Sequence, residues 1–303
     1  MPPYGARSGR AAGSSRSRSG SPSPRVSSVS VGELSRDAAA RARREQRAAR
    51  GRGKLIAALI SLAVLVGAGL GVYWSNLFAI EQVTVSGVEH LTASEMAQLA
   101  NVPANTTLLR VDTGAIESSI RRDAWVADVD VQRVFPNTLN LAVTERTIGA
   151  TVDVGVDDGR STETWAISVD GIWLCRIPAK DSEAAANISP KIYEDAENVF
   201  SIKNVAYGVK PEVGAVCTDA SIVNALDIVT GLTTELKDQV KTVSATSTED
   251  TTLTLDSNVE IAFGVAEDIR EKERVCLQIM ADYPGAISYI NVRVVNSPTW
   301  RVA

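Results

Sequence analysis

Between Leu55 and Ser75 the chain reads LIAALISLAVLVGAGLGVYWS, 21 residues without a charged side chain. At about 1.5 Å of rise per residue, such a run spans roughly 30 Å as a helix, the thickness of a bilayer's hydrocarbon core. It is longer than the ~7–15-residue apolar region of a secretory signal. It also begins 54 residues into the sequence, and the NLFAIE that follows is a poor cleavage site. The pattern predicts one uncleaved membrane helix over residues 55–75.

Charge divides at that helix. Before Leu55 stand 13 basic and three acidic residues (Glu33, Asp37, Glu45); the remainder carries 18 basic and 33 acidic ones. Arg50, Arg52 and Lys54 directly precede the apolar run, and no Lys or Arg follows until Arg110. Positive charge is retained on the cytoplasmic side, so a single pass of the cell membrane is predicted, with residues beyond about 76 extracytoplasmic. Tyr73 and Trp74 fall at the outer interface, where amphipathic rings are favoured. Gly67 and Gly71 have the G-x-x-x-G spacing that admits a second helix, although glycine is frequent in membrane helices in any case. Residues 1–54 read as a cytoplasmic, largely disordered basic tail, because SRSRSGSPSPR lacks the apolar surface to offset ordering entropy. Residues 33–50 have helix formers but no apolar stripe. Arginines beside an anchor set orientation and attract anionic lipid, so nucleic acid is not the expected partner.

Two units are predicted beyond the membrane. The first covers residues 78–146. IEQVTVSG reads as a strand, and Thr92 with Glu95 makes a capping box for a helix whose apolar face is Met96, Leu99 and Ala100. Asp112 or Thr113 caps a second helix carrying Ile116 and Ile120. WVADVDVQRV and LNLAVTER then alternate as strands about a Phe135-Pro136-Asn137-Thr138 turn. The second unit, 147–303, reads as mostly β. Asp170-Gly171 marks a hairpin within TWAISVDGIWL, and 176–198 reads as an exposed loop. Asp219 or Ser221 caps a helix with Ile222, Leu226, Val229 and Leu236 on one stripe. Three strands follow (VKTVSAT, TTLTLD, NVEIAFG), then a helix whose inward stripe is Ile269, Cys276, Met280 and Tyr283. The expected class is α+β.

The residues offer little for chemistry. His90 is the one histidine, expected beside a helix cap, with no Cys or His partner at ligand spacing. No nucleophile-elbow, zinc-protease or C-x-x-C motif occurs. Asp157, Asp158 and Glu163 could be imagined around a cation, but DVGVDDGR reads better as a turn. Cys175, Cys217 and Cys276 all lie outside the membrane, where at most one intrachain disulfide could form, and Cys276 falls on an apolar stripe. No catalytic residue, metal, cofactor or small-molecule substrate is predicted.

The final stretch, AISYINVRVVNSPTWRVA, reads as a strand from Ile287 to Val295 lying at a sheet edge. Its alternation assigns Ser288, Ile290, Val292 and Val294 inward, and Ile287, Tyr289, Asn291, Arg293 and Val295 outward. An edge strand unprotected by Lys, Pro or a bulge invites a partner strand, and Trp300 is of the type enriched at binding hot spots.

The β-α-α-β-β order directly after one anchor resembles a POTRA domain. WVADVDVQRVFPNTLNLAVTERTIGA, the Asp170-Gly171 hairpin and the C-terminal unit resemble the bacterial cell-division family FtsQ/DivIB, over about three quarters of the chain. One departure is Thr147-Ile148, where the family usually has Pro and a small apolar residue. The resemblance implies a non-catalytic divisome protein enriched at the division septum. It implies a C-terminal strand that receives a strand from an FtsB-like protein paired with an FtsL-like one. It also implies contacts to other divisome components through the POTRA unit. The family's Asp/Asn-x-Arg is matched by Asn291-Val292-Arg293, which points to Arg293, Val294, Val295, Asn296, Trp300 and Tyr289 as partner-binding residues. Two alternatives are a POTRA-bearing translocation or assembly factor, and a membrane-anchored envelope hydrolase.

Overall fold

A computed structural model describes residues 54–302, so the expectations for the basic tail fall outside the described residues. Helix α1 (Lys54–Trp74) exposes every side chain, and it is the one helix among the described residues long and apolar enough to cross a membrane. A helix apolar on all sides and buried on none needs apolar surroundings, which fits a single-pass membrane protein.

The next module comprises β1 (Gln82–Ser86), α2 (Ala93–Ala100), α3 (Thr113–Ile120), β2 (Val126–Val134) and β3 (Thr138–Glu145). Its sheet has the order β1-β3-β2, with β1 parallel and β2 antiparallel to β3. The capping box forms: Thr92 Oγ1 accepts from the Glu95 N–H at 3.2 Å and Glu95 Oε2 from the Thr92 N–H at 2.8 Å. Asp112, not Thr113, caps α3 by accepting from the Ala115 N–H. Met96, Ile116 and Ile120 from the helices then meet Val129, Leu139, Leu141 and Val143 of the sheet. This is the expected POTRA arrangement.

The larger module is a nine-stranded mixed sheet. Its elements are β4 (Ile148–Val156), β5 (Ser161–Ser168), β6 (Trp173–Ile177), α4 (Pro190–Glu197), β7 (Ser201–Lys203), α5 (Ala220–Gly231), α6 (Thr234–Lys237), β8 (Val240–Ala245), β9 (Thr251–Leu255), β10 (Glu260–Ala262), α7 (Ile269–Asp282), β11 (Ile287–Asn291) and β12 (Thr299–Val302). The strand order is β12-β11-β10-β9-β8-β7-β4-β5-β6. Ile222, Ala225 and Val229 of α5, with Cys276 and Ile279 of α7, cover Val243, Leu253, Leu255, Ile261 and Ile290 of the sheet.

Several elements depart from the sequence reading. β4 was not expected: Ala150, Thr151 and Val152 are buried in succession, which hides the alternation, and its last residues, Asp153–Val156, were read as part of the DVGVDDGR turn. β7 has three residues, too few to show a period. The loop expected over 176–198 contains α4, which starts with Pro190 in its first turn and buries Ile192. Leu236 is buried as expected but belongs to α6, beyond the end of α5. On α7 the buried residues are Lys272, Glu273, Cys276 and Ile279, while Tyr283 is exposed. The two charged residues go inward because each finds partners. Lys272 Nζ donates to the Phe263 and Val265 carbonyls at 3.1 and 2.8 Å. Glu273 accepts from the N–H and hydroxyl of Thr233 at 2.8 and 2.5 Å. Burial lowers the Lys272 pKa, with Asp268 and Glu267 acting the other way.

The two modules meet at a defined seam. The His90 ring, expected beside a cap at the surface, is buried and stacks on Trp125 at 4.4 Å. Its Nδ1 faces Glu145 Oε2 at 2.7 Å and its Nε2 faces Asp195 Oδ2 of α4 at 2.8 Å. A doubly protonated ring donates to both carboxylates; a neutral ring donates to one. Glu145 also accepts from the His90 and Leu91 N–H groups. Next to it, Arg146 donates to the Ala124 and Val126 carbonyls and to Asp170 at the β5–β6 turn. Trp125 is buried against Ile148, Leu174 and Ile192, so Ile148 at the departure from the family pattern becomes a seam residue.

His90→Ala should cost about 1–3 kcal/mol, because it strips a buried carboxylate of its side-chain partner. Hydrogen exchange should accelerate in α4 while α5 keeps its protection; equal protection in both helices would show that the ring does not hold the seam. Lys191 first, and His90 after it, hold the Asp195 carboxyl below the usual range. A lowered folded pKa stabilises above the unfolded value, so this contribution is present at neutral pH and fades as pH falls through the carboxylate range.

Candidate functional site at the C-terminal sheet edge

The final strand ends earlier than expected, and the chain returns. Asn291 Oδ1 accepts from the Arg293 N–H at 3.1 Å, a local bond that turns the backbone out of the sheet after Asn291. The Val292 N–H still donates to the Ala262 carbonyl. A turn then forms, with Ser297 N–H donating to the Val294 carbonyl at 3.1 Å, and Pro298 precedes β12. β12 runs antiparallel to β11 with Asn291 opposite Thr299, Ile290 opposite Trp300 and Tyr289 opposite Arg301. The protein's own last residues therefore cover the edge that the sequence left open. β12 becomes the outermost strand, exposed at all four positions and unpaired on its far side among the described residues.

The face assignment changes with it. Ile290 and Val292 are buried as expected, but Ile287 is buried rather than outward and Val294 is 63% exposed rather than inward. A register shift between Ile287 and Tyr289 breaks the alternation at one end, and the turn after Asn291 removes it at the other. Ser288 is half-buried, its hydroxyl donating to the Arg301 carbonyl at 3.3 Å.

The candidate residues divide into two groups. Tyr289, under the Arg301 guanidinium at 4.6 Å, and Trp300, beside Tyr283 at 6.0 Å, belong to the β11–β12 pair. Arg293, Val294 and Asn296 are exposed on the connecting turn, and Val295 is half-buried. Arg293 is held by an ion pair with Asp250 in the β8–β9 turn. Gly264, at φ +73°, lies under the Arg293 stem: a Cβ there would meet Arg293 Cγ at 3.1 Å. Both supports hang on Asn224 of α5. Its amide donates to Thr251 Oγ1 at 2.9 Å and the Gly264 carbonyl at 3.0 Å, while its oxygen accepts from the Ala266 N–H at 2.8 Å. Asp250, Arg301 and Asn224 were not recognised from the sequence, and Tyr283 was read only as an inward position of the last helix. The Asn296-Ser297-Pro298 cluster before Thr299 was a readable turn signal for β12.

Other polar groups are engaged elsewhere. Asp157 accepts from Ser161, Asp158 from the Tyr207 hydroxyl, and Glu163 pairs with Arg176 at 2.7 Å, so the three acids face different partners. A cavity of about 590 Å³ near Tyr193 is rimmed by that Glu163–Arg176 pair and by Lys180–Glu197. The three cysteines are free thiols. Burial pushes Cys175 up to about 11 and Cys276 up to about 12, and raises Cys217, so all stay protonated and unreactive at neutral pH.

An apolar helix followed by a POTRA module and a mixed sheet edged by its own C-terminal strand defines a membrane-anchored POTRA protein. Residues 78–146 match the family profile of the FtsQ-type POTRA domain. Residues 161–293 match that of the cell division protein FtsQ/DivIB C-terminal region, which leaves β12 beyond the matched segment. The chain is 29% identical to the cell division protein FtsQ of Streptomyces collinus, over 81% of this chain and 87% of that one. It is 30% identical to the cell division protein FtsQ of Streptomyces venezuelae, over 76% of this chain and 78% of that one. A third relative is the cell division protein FtsQ of Mycobacteroides abscessus, 27% identical over 75% of this chain and 66% of that one. The chain belongs to the FtsQ/DivIB family of cell-division proteins.

Asn224→Ala should lower stability by about 1–3 kcal/mol in denaturant melts, because the Ala266 N–H and Gly264 carbonyl lose a buried partner. Asp250→Ala, which removes only a surface ion pair, should change it by no more than about 1 kcal/mol. Equal losses would show that the network does not carry the edge.

Proposed function

We propose that the chain is a non-catalytic scaffold and regulator of the divisome that captures an FtsB-like partner, itself paired with an FtsL-like protein, by strand addition at its C-terminal edge. The observation that carries this reading is the outer edge of β12, which is unpaired among the described residues and carries the exposed Trp300 and Val302, near the exposed Val294 and the tethered Arg293. Strand addition draws affinity from main-chain hydrogen bonds and specificity from alternate side chains. Trp300 and Arg293 are the hot-spot candidates, with Tyr289, Val294, Val295 and Asn296 shaping the surface around them.

In this reading residues 1–54 lie in the cytoplasm and 55–75 span the cell membrane. Residues 78–146 make the POTRA contacts to other divisome components, and 147–303 form the partner-binding module at the septum. No cofactor, small-molecule substrate or nucleic acid takes part. The ion-paired cavity rim and protonated thiols support binding over hydrolysis, and a single POTRA module on a membrane helix argues against a barrel-assembly factor.

Arg293→Ala and Trp300→Ala should each weaken capture of the FtsB–FtsL-type pair by roughly 30-fold, as for a residue contributing about 2 kcal/mol. The ectodomain melt should stay unchanged. Undiminished capture by both variants would refute the edge assignment, and normal septation after full depletion in the source bacterium would refute the divisome role.

A further inference from the structure

The topology of the POTRA sheet brings two distant segments to one end. β1 runs parallel to β3, with Gln82 opposite Thr138, so the start of β1 lies beside the start of β3. The β2–β3 turn must therefore sit at the end of the sheet where the chain arrives from α1. Backbone bonds fix this: the Glu81 and Gln82 N–H groups both donate to the Asn137 carbonyl, at 3.0 and 3.3 Å. The Phe78 and Phe135 rings meet edge to face at 5.1 Å.

That end is apolar and uncovered. Leu77 is 67% exposed, Phe135 53% and Val134 45%, three large side chains at or next in sequence to the Phe78–Phe135 contact, where isolated exposed ones would be ordinary. Arg133 is exposed beside them. Arg110 lies on the neighbouring segment, where Leu108 donates to the Phe78 carbonyl. Among the described residues neither arginine has a carboxylate partner; Arg133 donates to the Val111 carbonyl and Arg110 to the Thr107 hydroxyl. Glu81 is exposed at the same end, its carboxylate accepting from the Asn137 amide at 2.6 Å, so the two arginines outweigh one acid. Apolar side chains with a net positive rim suit the boundary between acyl chains and anionic headgroups.

Chain length says what covers this surface. Trp74, the last residue of α1, is four residues from Phe78, at most about 14 Å even if fully extended. The chain is not extended there: Ser75 N–H bonds back to Gly71 and Val72, and Ala79 N–H to Asn76. We propose that the Leu77, Val134 and Phe135 end of the POTRA module is seated in the lipid headgroup layer at the end of the membrane helix. The module would then be held at two points, the covalent helix and a hairpin tip about 60 residues further along the chain, and its rotation about the anchor restricted. This inference depends on α1 spanning the membrane and is independent of partner capture.

Four phenylalanines make a direct test. Phe78 and Phe135 lie at this end, whereas Phe200 and Phe263 are buried in the larger module. The full chain, carrying fluorophenylalanine at all four and reconstituted in vesicles containing phosphatidylglycerol, is read by fluorine NMR; Phe135→Leu identifies the Phe135 signal. A lipid spin-labelled just below its ester carbonyls should erase the Phe135 signal and leave those of Phe200 and Phe263. A water-soluble gadolinium chelate should leave Phe135 standing. Persistence of the Phe135 signal with the lipid label overturns the proposal. So does its loss with both reagents, which would mean an end near the surface but still in water. Persistence with both would mean that protein, such as a second copy of this chain, covers the surface instead.

Discussion

The folded structure that follows α1 depends on one short junction, Glu145-Arg146. Glu145 is the last residue of β3, Arg146 follows it, and both reach into the seam. Glu145 takes the His90 ring and two backbone N–H groups, and through that ring reaches Asp195 of α4. Arg146 takes two carbonyls of the Trp125 segment and Asp170 of the next hairpin. Apolar contact among Trp125, Ile148, Leu174 and Ile192 excludes water beside them, which strengthens the buried His90–Glu145 bond, while the Arg146–Asp170 pair stays open to solvent. Without this seam the POTRA module and the large sheet would be joined by a single strand of chain, and their mutual orientation would be free.

A second constraint operates at the far end of the large sheet. The edge formed by β11 and β12 is too small to hold itself: β12 has four exposed residues. It is supported from beneath by polar groups that the sequence places in helices. Asn224, Lys272 and Glu273 are buried and satisfied: they bind α5 and α7 to the start of β9 and the loop after β10, and α7 to Thr233 at the start of α6. Such a network specifies one loop arrangement more tightly than apolar contact does, because any other arrangement leaves buried groups unpaired. Arg293 gains a fixed position from it, through Gly264 and Asp250.

Legibility in the sequence follows the strength of local signals. The capping box at Thr92 and Glu95, the alternation of Leu139, Leu141 and Val143, and the Asp170-Gly171 turn are set by neighbours within a few residues, and each forms as read. β4 and β7 were not legible, one because successive buried residues hide its alternation and the other because three residues carry no period. Of the candidate site, Arg293 and Trp300 were named from sequence, but the strand that carries Trp300 was not.

The sequence by itself determined the membrane helix, the sign of charge on either side of it, and the order of elements in the POTRA module. These follow from composition and short-range periodicity, which need no knowledge of distant contacts. Only the tertiary structure decided that His90 is a buried bridge, that Lys272 and Glu273 face inward, and that the last residues fold back over β11. Each of these rests on a partner far away in the chain, such as Asp195 for His90 or the Val265 carbonyl for Lys272. A buried charge or a covered edge is stable only when that partner is in place, and hydropathy along the chain does not reveal where it will be.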